Sequence, residues 1–235
     1  MAGGRGTRLL PATKITNKHL IPIGSTPMIE FPLRVLKKCG IEDILLISGG
    51  EHVGDFAEYL GDGSEFEVSL TYRIQKEAAG IAHALLQAEK FFSGTPVVAI
   101  LGDNVFDDKN FSKLDAAGFT DNAQILLKKV SDPRRFGVAK FGSKQKLIGI
   151  VEKPVRPPSE YAVTGFYRYP ADVFDIIRKL KPSKRGELEI SDVNNFYIRS
   201  GRIEHEFFNG FWSDAGTPDS LFRIYPWLKK QNLLK

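Results

Sequence analysis

Three glycines and two arginines fall within the first eight residues, "MAGGRGTR". Glycine lets a backbone turn sharply and bring its N–H groups against a ligand with no Cβ in the way. Arg5 and Arg8 add fixed positive charge, and Lys14 and Lys18 follow closely. Such a cluster suits a polyphosphate. Neither standard phosphate fingerprint fits, however. A Walker loop needs Lys and then Ser or Thr after its last glycine, whereas Gly6 is followed by Thr7-Arg8. A dinucleotide loop needs a preceding strand and a glycine where Arg8 stands. By composition alone the stretch reads equally well as a mobile basic tail. A second candidate is Asp103, directly after the apolar run "PVVAIL". Open α/β sheets place ligands at the carboxyl ends of such strands, although an Asp there also serves as a turn former or helix cap.

The elements that must position these groups alternate. "MIEFPLRVLKKCG" carries apolar residues at helical spacing and ends on Gly40; "DILLIS" is a short apolar strand before Gly49-Gly50. "VSLTYRI" alternates as a strand, "GIAHALLQAEKFF" reads as one helix, and "PVVAIL" suits a sheet centre. The second half is richer in strands: "AQILLKKV", "FGVAKF", "KLIGIVEK" and "AVTGFYRYP" succeed one another through turn signals. Helices are expected over 171–180 and 190–199, then a strand in "RIEHEFF", then a terminal helix interrupted at Pro226. The expected fold is α/β and Rossmann-like: a mostly parallel central sheet with helices on both faces and a mixed strand extension in the second half. It is read as one domain over 1–235.

Composition bounds the function classes. The chain has 235 residues, 42% of them hydrophobic, which is enough for a sizeable core. The single cysteine, Cys39, leaves no internal disulfide framework and fits a reducing compartment. No apolar run approaches the ~18 residues a spanning helix needs, and no signal-peptide stretch opens the chain, so a cytoplasmic protein with no membrane partner is expected. The net charge is +5, but the basic residues are spread along the chain, which argues against nucleic acid as partner.

Several short stretches then occur in order: "AGGRGTRLLPAT", "NKHLIP", "PMIEFPL", "GIEDILLI", "LGDN", "RRFGVAKF", "VEKP", "YAVTGFY", "LKPSKRGELEISDVNNFY" and "WSDAGTPDSL". Together they resemble the sugar-1-phosphate nucleotidyltransferases, most closely the branch acting on glucose 1-phosphate and dTTP, over essentially the whole chain. The resemblance implies Mg²⁺-dependent, in-line displacement at the α-phosphorus, giving dTDP-glucose and pyrophosphate. UTP or another hexose 1-phosphate could replace either substrate with the same chemistry. A non-catalytic nucleotide-sugar-binding regulatory protein would instead have lost Asp103, Asp214, Arg8 or Lys153, and all four are present.

Residue by residue, the resemblance assigns the loop Ala2, Gly3, Gly4, Gly6 and Thr7 to the triphosphate, with Arg8 and Lys18 paired to its charge. Gln75 and Gly80 would meet the base, since a side-chain amide offers a donor and an acceptor to a pyrimidine imide edge. His19 is expected to face the nucleotide, where longer relatives carry a glutamine. Asp103 and Asp214 are the implied metal carboxylates. Asn104, Gly137, Glu152, Lys153, Val163, Gly165, Tyr167 and Arg185 fall to the sugar phosphate, with Tyr167 readable also as a core aromatic. Arg8, Lys18, Asp103 and Lys153 would carry the chemistry. The implied division is 1–105 for the nucleotide, 106–215 for the sugar phosphate and 216–235 for a terminal helix. A homo-oligomer is expected. Family members carry a short inner strand before the glycine loop, of the kind "KGIILAGG"; this chain begins where that strand would be ending, so a shortened start is expected. It also stops short of the helical tail that gives longer members a regulatory nucleotide site.

Overall fold

The computed structural model describes residues 1–4, 6–112 and 120–233; Arg5 of the basic loop and the last two residues of the expected terminal helix lie outside them. In chain order the elements are β1 (Pro22–Ile23), β2 (Thr26–Pro27), α1 (Glu30–Lys38), β3 (Asp43–Gly49), α2 (Val53–Leu60) and β4 (Ser69–Gln75). Next come α3 (Ile81–Leu86), α4 (Glu89–Phe92), β5 (Val97–Ile100), β6 (Asn104–Phe106), β7 (Ala123–Lys129) and β8 (Gly137–Phe141). The remainder are β9 (Leu147–Glu152), β10 (Tyr161–Tyr169), α5 (Val173–Arg178), α6 (Ile190–Arg199), β11 (Ile203–Phe207), β12 (Trp212–Asp214) and α7 (Pro218–Lys230). No helix among the described residues is long and apolar enough to cross a membrane.

The chain folds into two compact units, each assembled from separated stretches. Unit 1 comprises Met1–Ala78, Ile100–Leu114 and Gly210–Lys235. Its parallel pair, β3–β4, runs in register from Asp43–Ser69 to Gly49–Gln75. Beside β3, the Ala2 N–H donates to the Ile47 carbonyl at 2.7 Å, and Ala2 bridges Ser48 in parallel. The Met1 ammonium donates to the Ile100 carbonyl, and the Gly102 N–H to the Met1 carbonyl. Met1 and Ala2 therefore occupy an inner sheet position, as the end of the strand implied by the resemblance would. Around Phe56, fully buried on α2, pack Ala2, Ile29, Leu33, Leu46, Leu60 and Leu70. A second cluster joins Leu9, Met28, Phe31 and Val105 to Ile224 and Leu228 of α7.

Unit 2 comprises Ala79–Ala99 and Asp115–Asn209. Here lies the mixed extension, a six-stranded sheet in the order β11-β7-β10-β8-β9, with β5 also paired to β10. β10 is antiparallel to β7 and β8, whereas β11 is parallel to β7. A register shift between Val163 and Tyr167 marks a bulge in β10. Tyr167, Tyr169 and Tyr197 form a buried stack with centroids 5.8 and 5.9 Å apart, and the Tyr169 hydroxyl donates to Asn194 Oδ1 at 2.7 Å.

Two local expectations change, and one helix was not expected. The helix expected over 80–92 divides into α3 and α4, with Gln87 and Ala88 between them. α7 runs unbroken through Pro226. That proline sits on the exposed side of the helix, where water can take the carbonyl that its missing N–H leaves free. α2, for which "HVGDFAEYL" gave no clear signal, buries only Phe56 and Leu60 of its eight residues. So narrow an apolar stripe is hard to read as helical.

Gly80 shows a backbone demand that its residue type satisfies. Its φ is +102°, and an added Cβ would stand 2.5 Å from the Leu188 carbonyl oxygen and 2.9 Å from the Leu188 nitrogen. Backbone atoms tied by the Leu188 N–H to Ala79 O bond and the Ala82 N–H to Leu188 O bond cannot give way cheaply. Gly80→Ala is expected to cost about 1–3 kcal/mol through strain alone. A urea midpoint equal to that of the parent would contradict this account.

Candidate functional site

In unit 1 the glycine loop is built by close approaches. Gly4 has φ +107° and Gly6 φ +60°, conformations that side chains rarely adopt. A Cβ on Gly3 would lie 2.9 Å from Gln75 Oε1, and one on Gly6 would lie 2.7 Å from Thr13 Cγ2. The Thr13 hydroxyl donates to the Gly6 carbonyl at 3.0 Å and ties the loop to the segment behind it. Thr7 and Arg8 follow in a single 3₁₀ turn, which anchors through buried Leu9.

Beside this loop opens a cleft of about 780 Å³ lined by Gly4, Lys18 and Gln75 among the residues expected to bind nucleotide. Asn17, from the "NKHLIP" stretch, lines it as well, as do His52 and Lys76, none of which was assigned a role from the sequence. Gln75 ends β4 with its side chain largely buried, opposite Gly49 at the end of β3. The amide is therefore held at the carboxyl ends of two parallel strands.

Lys18 and Asp103, far apart in sequence, meet as an ion pair between Nζ and Oδ2, both side chains mostly out of solvent. Burial raises the Asp103 pKa, but the Lys18 charge and the hydrogen bonds from Lys18 and Asn104 outweigh it and hold the carboxyl well below the usual carboxylate range. Asn104 Nδ2 donates to Asp103 Oδ1 at 3.0 Å, and Trp212 Nε1 donates to Asn104 Oδ1 at 2.7 Å. Asn104, expected at the sugar phosphate, is thus almost fully buried beside Asp103, with contacts to both neighbours.

Asp214 comes alongside through the antiparallel β6–β12 ladder. It faces Asn104, and the next N–H, from Ala215, donates to the Asp103 carbonyl at 2.7 Å. Its Oδ1 accepts from the Ser220 hydroxyl at 3.2 Å. The Arg8 guanidinium reaches the same place: a Cβ on Gly216 would lie 3.0 Å from Arg8 Nη2 and 3.2 Å from Asp214 Oδ2. The two aspartates, Lys18 and Arg8 thus belong to one unit and gather at one end of the β6–β12 ladder. A cluster of three or more acidic, His or Cys residues able to hold a metal ion is absent among the described residues.

His19 does not face the cleft. It is 1% exposed, with Nδ1 2.6 Å from Asn17 Oδ1 and its ring 6.4 Å from that of Phe56. The same Asn17 oxygen accepts from the His19 backbone N–H at 3.0 Å and caps the turn that carries Lys18. An apolar pocket occupied by an anchored ring explains the placement. Burial and the Lys18 charge push the His19 pKa well below its ordinary 6.5.

The remaining expected residues lie in unit 2. Gly137 faces Glu152 across the β8–β9 ladder, and a Cβ on it would lie 2.9 Å from Ser191 Oγ. The Ser191 hydroxyl donates to Glu152 Oε2. Lys153 follows at φ +41°, its N–H on the Phe136 carbonyl at 2.9 Å, and its Nζ stands 3.7 Å from Glu152 Oε1. Arg185 lies 3.7 Å from Glu152, 2.9 Å from Glu187 and 3.2 Å from Glu189. Lys153 and Arg185 therefore form a cationic pair interleaved with carboxylates. Val163 and Tyr167 sit on buried β10 with Gly165 between them, and Tyr167 is part of the tyrosine stack.

Because burial keeps His19 neutral, its contribution to stability is complete above the unfolded value near 6.5 and is lost as pH falls below it. His19→Gln should remove that acid-side loss, seen as a flatter stability profile between pH 8 and pH 5. Asn17→Ala deprives two buried donors of their acceptor and should cost about 1–3 kcal/mol. Denaturation curves that show no such loss, or an unchanged acid slope in His19→Gln, would contradict the anchor.

Comparison with known proteins gives a consistent result. The family model described as nucleotidyl transferase matches residues 1–231. A glucose-1-phosphate thymidylyltransferase of Neisseria meningitidis is 42% identical over 225 residues, covering 94% of this chain and 78% of its own. The Mycobacterium tuberculosis enzyme of that name is 38% identical with the same coverage. A solved Bacillus anthracis structure described under this enzyme name, in complex with sucrose, superposes with TM-score 0.86 at 47% identity, covering 96% of this chain and 92% of its own. A UDP-glucose pyrophosphorylase complexed with UDP-glucose shares the fold at TM-score 0.86 and 24% identity, over 98% of this chain and 97% of its own.

Proposed function

Since the chain belongs to the nucleotidyl transferase family, we propose that it transfers a thymidylyl group from dTTP to glucose 1-phosphate, yielding dTDP-glucose and pyrophosphate. The observation that carries this reading is the meeting of Asp103, Lys18, Arg8 and Asp214 in one unit with the glycine loop. Thymidylyltransferase names on relatives near 40% identity supply the substrates.

In the reaction, a phosphate oxygen of the sugar attacks the α-phosphorus. A new P–O bond forms there, and the bond to the bridging oxygen breaks in line. Pyrophosphate departs with that electron pair. The nucleophile is already anionic at neutral pH, so the protein has no proton to remove, and its contribution is positioning and charge neutralisation. The loop N–H groups between Gly3 and Thr7 and the Lys18 ammonium bind the triphosphate. Arg8 stabilises charge developing on pyrophosphate. Lys153 and Arg185 take the sugar phosphate, and Glu152, oriented by Ser191, accepts from sugar hydroxyls.

Mg²⁺ suits the donor set, because the carboxylates of Asp103 and Asp214 are hard oxygen ligands and Asp103 is held ionised. Bound there, the ion would neutralise phosphate charge at the reacting phosphorus. Lys18 is then a partner that keeps the Asp103 charge compensated before substrate arrives. The same reading carries the expectation of a cytoplasmic homo-oligomer. Uracil differs from thymine by one methyl, worth about 1–3 kcal/mol in an apolar pocket, so UTP is a competing substrate to measure.

The test is pyrophosphate release with Mg²⁺ across dTTP, UTP, CTP, ATP and GTP against several sugar 1-phosphates. The dTTP and glucose 1-phosphate pair should give the highest kcat/KM. Asp103→Asn and Asp214→Asn should each lower kcat by ~10²-fold or more with secondary structure unchanged, following the magnitude for a lost charge stabiliser. EDTA should abolish turnover reversibly. Full activity in either variant refutes the metal assignment, and inactivity across the whole grid refutes the proposed reaction.

A further inference from the structure

His52 lines the cleft that contains Gly4, Lys18 and Gln75. It belongs to the turn leaving β3, whose last residue, Gly49, faces Gln75 across the ladder. Its own N–H donates back to the Gly49 carbonyl at 3.4 Å. The imidazole thus projects from the same end of the sheet as the amide assigned to the base.

The ring is oriented by a carboxylate: Nδ1 lies 2.9 Å from Asp55 Oδ2, in the first turn of α2. In the neutral tautomer that pairs with this carboxylate, the ring hydrogen sits on Nδ1 and the lone pair on Nε2. Nε2 has no protein partner among the described residues. A fixed acceptor on this wall needs a donor from the ligand. Phosphate oxygens at neutral pH donate nothing, and the base imide edge is matched by the Gln75 amide, which offers both a donor and an acceptor. The donors left on a nucleoside triphosphate are the hydroxyls of its sugar.

We infer that His52, oriented by Asp55, accepts a hydrogen bond from a sugar hydroxyl of the bound nucleoside triphosphate and so helps to select which sugars the cleft takes. The inference rests on reading the cleft as the nucleotide site. His52 is a binding residue in this scheme and Asp55 a positioning residue. Both side chains are partly exposed, at 30% and 47%, so their replacement leaves the core intact.

The experiment is equilibrium binding to the full chain of dTTP against 3′-deoxythymidine triphosphate, and of UTP against dUTP, for the parent, His52→Ala and Asp55→Ala. The first pair reads the 3′-hydroxyl and the second the 2′-hydroxyl. The parent should prefer the hydroxyl-bearing member of at least one pair by roughly 5–10-fold, the scale of one net hydrogen bond. In His52→Ala that preference should fall to near unity, and in Asp55→Ala to an intermediate ratio, with denaturation midpoints unchanged. An equal preference in parent and His52→Ala, or no preference in the parent for either hydroxyl, overturns the inference. Should the triphosphates bind and pyrophosphate be released while the ratios stay fixed, only this inference falls. Should none of them bind the parent, the nucleotide reading falls with it.

Discussion

The pairing of Lys18 with Asp103 is the interaction on which unit 1 turns. A carboxylate at the carboxyl end of a sheet, mostly out of solvent, is costly unless a cation compensates it. Lys18 supplies that cation, and Asn104 adds a hydrogen bond to the second oxygen. The price of failure is high, so the structure fixes each partner firmly. Lys18 stands on a turn capped by Asn17 and backed by buried His19. Asp103 follows Gly102, whose N–H is tied to Met1 and whose Cα leaves no room for a side chain against the His19 ring, 2.8 Å from where a Cβ would stand.

The same arrangement keeps unit 1 free of an uncompensated buried positive charge. Lys18 is neutralised by Asp103, and Arg8 shares the space over Gly216 with Asp214. Each cation thus has a carboxylate neighbour within the same unit. In unit 2 the same logic recurs: Arg185 is surrounded by Glu152, Glu187 and Glu189, and Lys153 lies against Glu152. Such partly exposed pairs are each worth little to stability.

Much of the fold was legible because burial leaves a period in the chain. β10 was located to within a residue as a run bounded by turn signals, and α6 as a helical segment. α2 escaped because it buries so little, and the division between α3 and α4 escaped because "LLQAEK" continues the helical composition across it. Pro226 misled for the opposite reason. A local rule against proline in helices was overridden by the burial of Ile224 and Leu228 on the opposite face of α7.

For the site, the sequence alone determined which chemical groups are available: glycines that permit tight turns, cations close behind them, an aspartate at a strand end, and the ordered motifs of a family. Tertiary structure alone decided which of them meet. Asp214 reaches Asp103 through the register of β6 against β12, and His19 turns away from the cleft because a packed pocket and the Asn17 oxygen hold it. His52, with no motif of its own, comes to the cleft through the register of β3 against β4. Residue type sets what a side chain can do, but ladder register and core packing join positions far apart in the chain, and no local pattern records those distances.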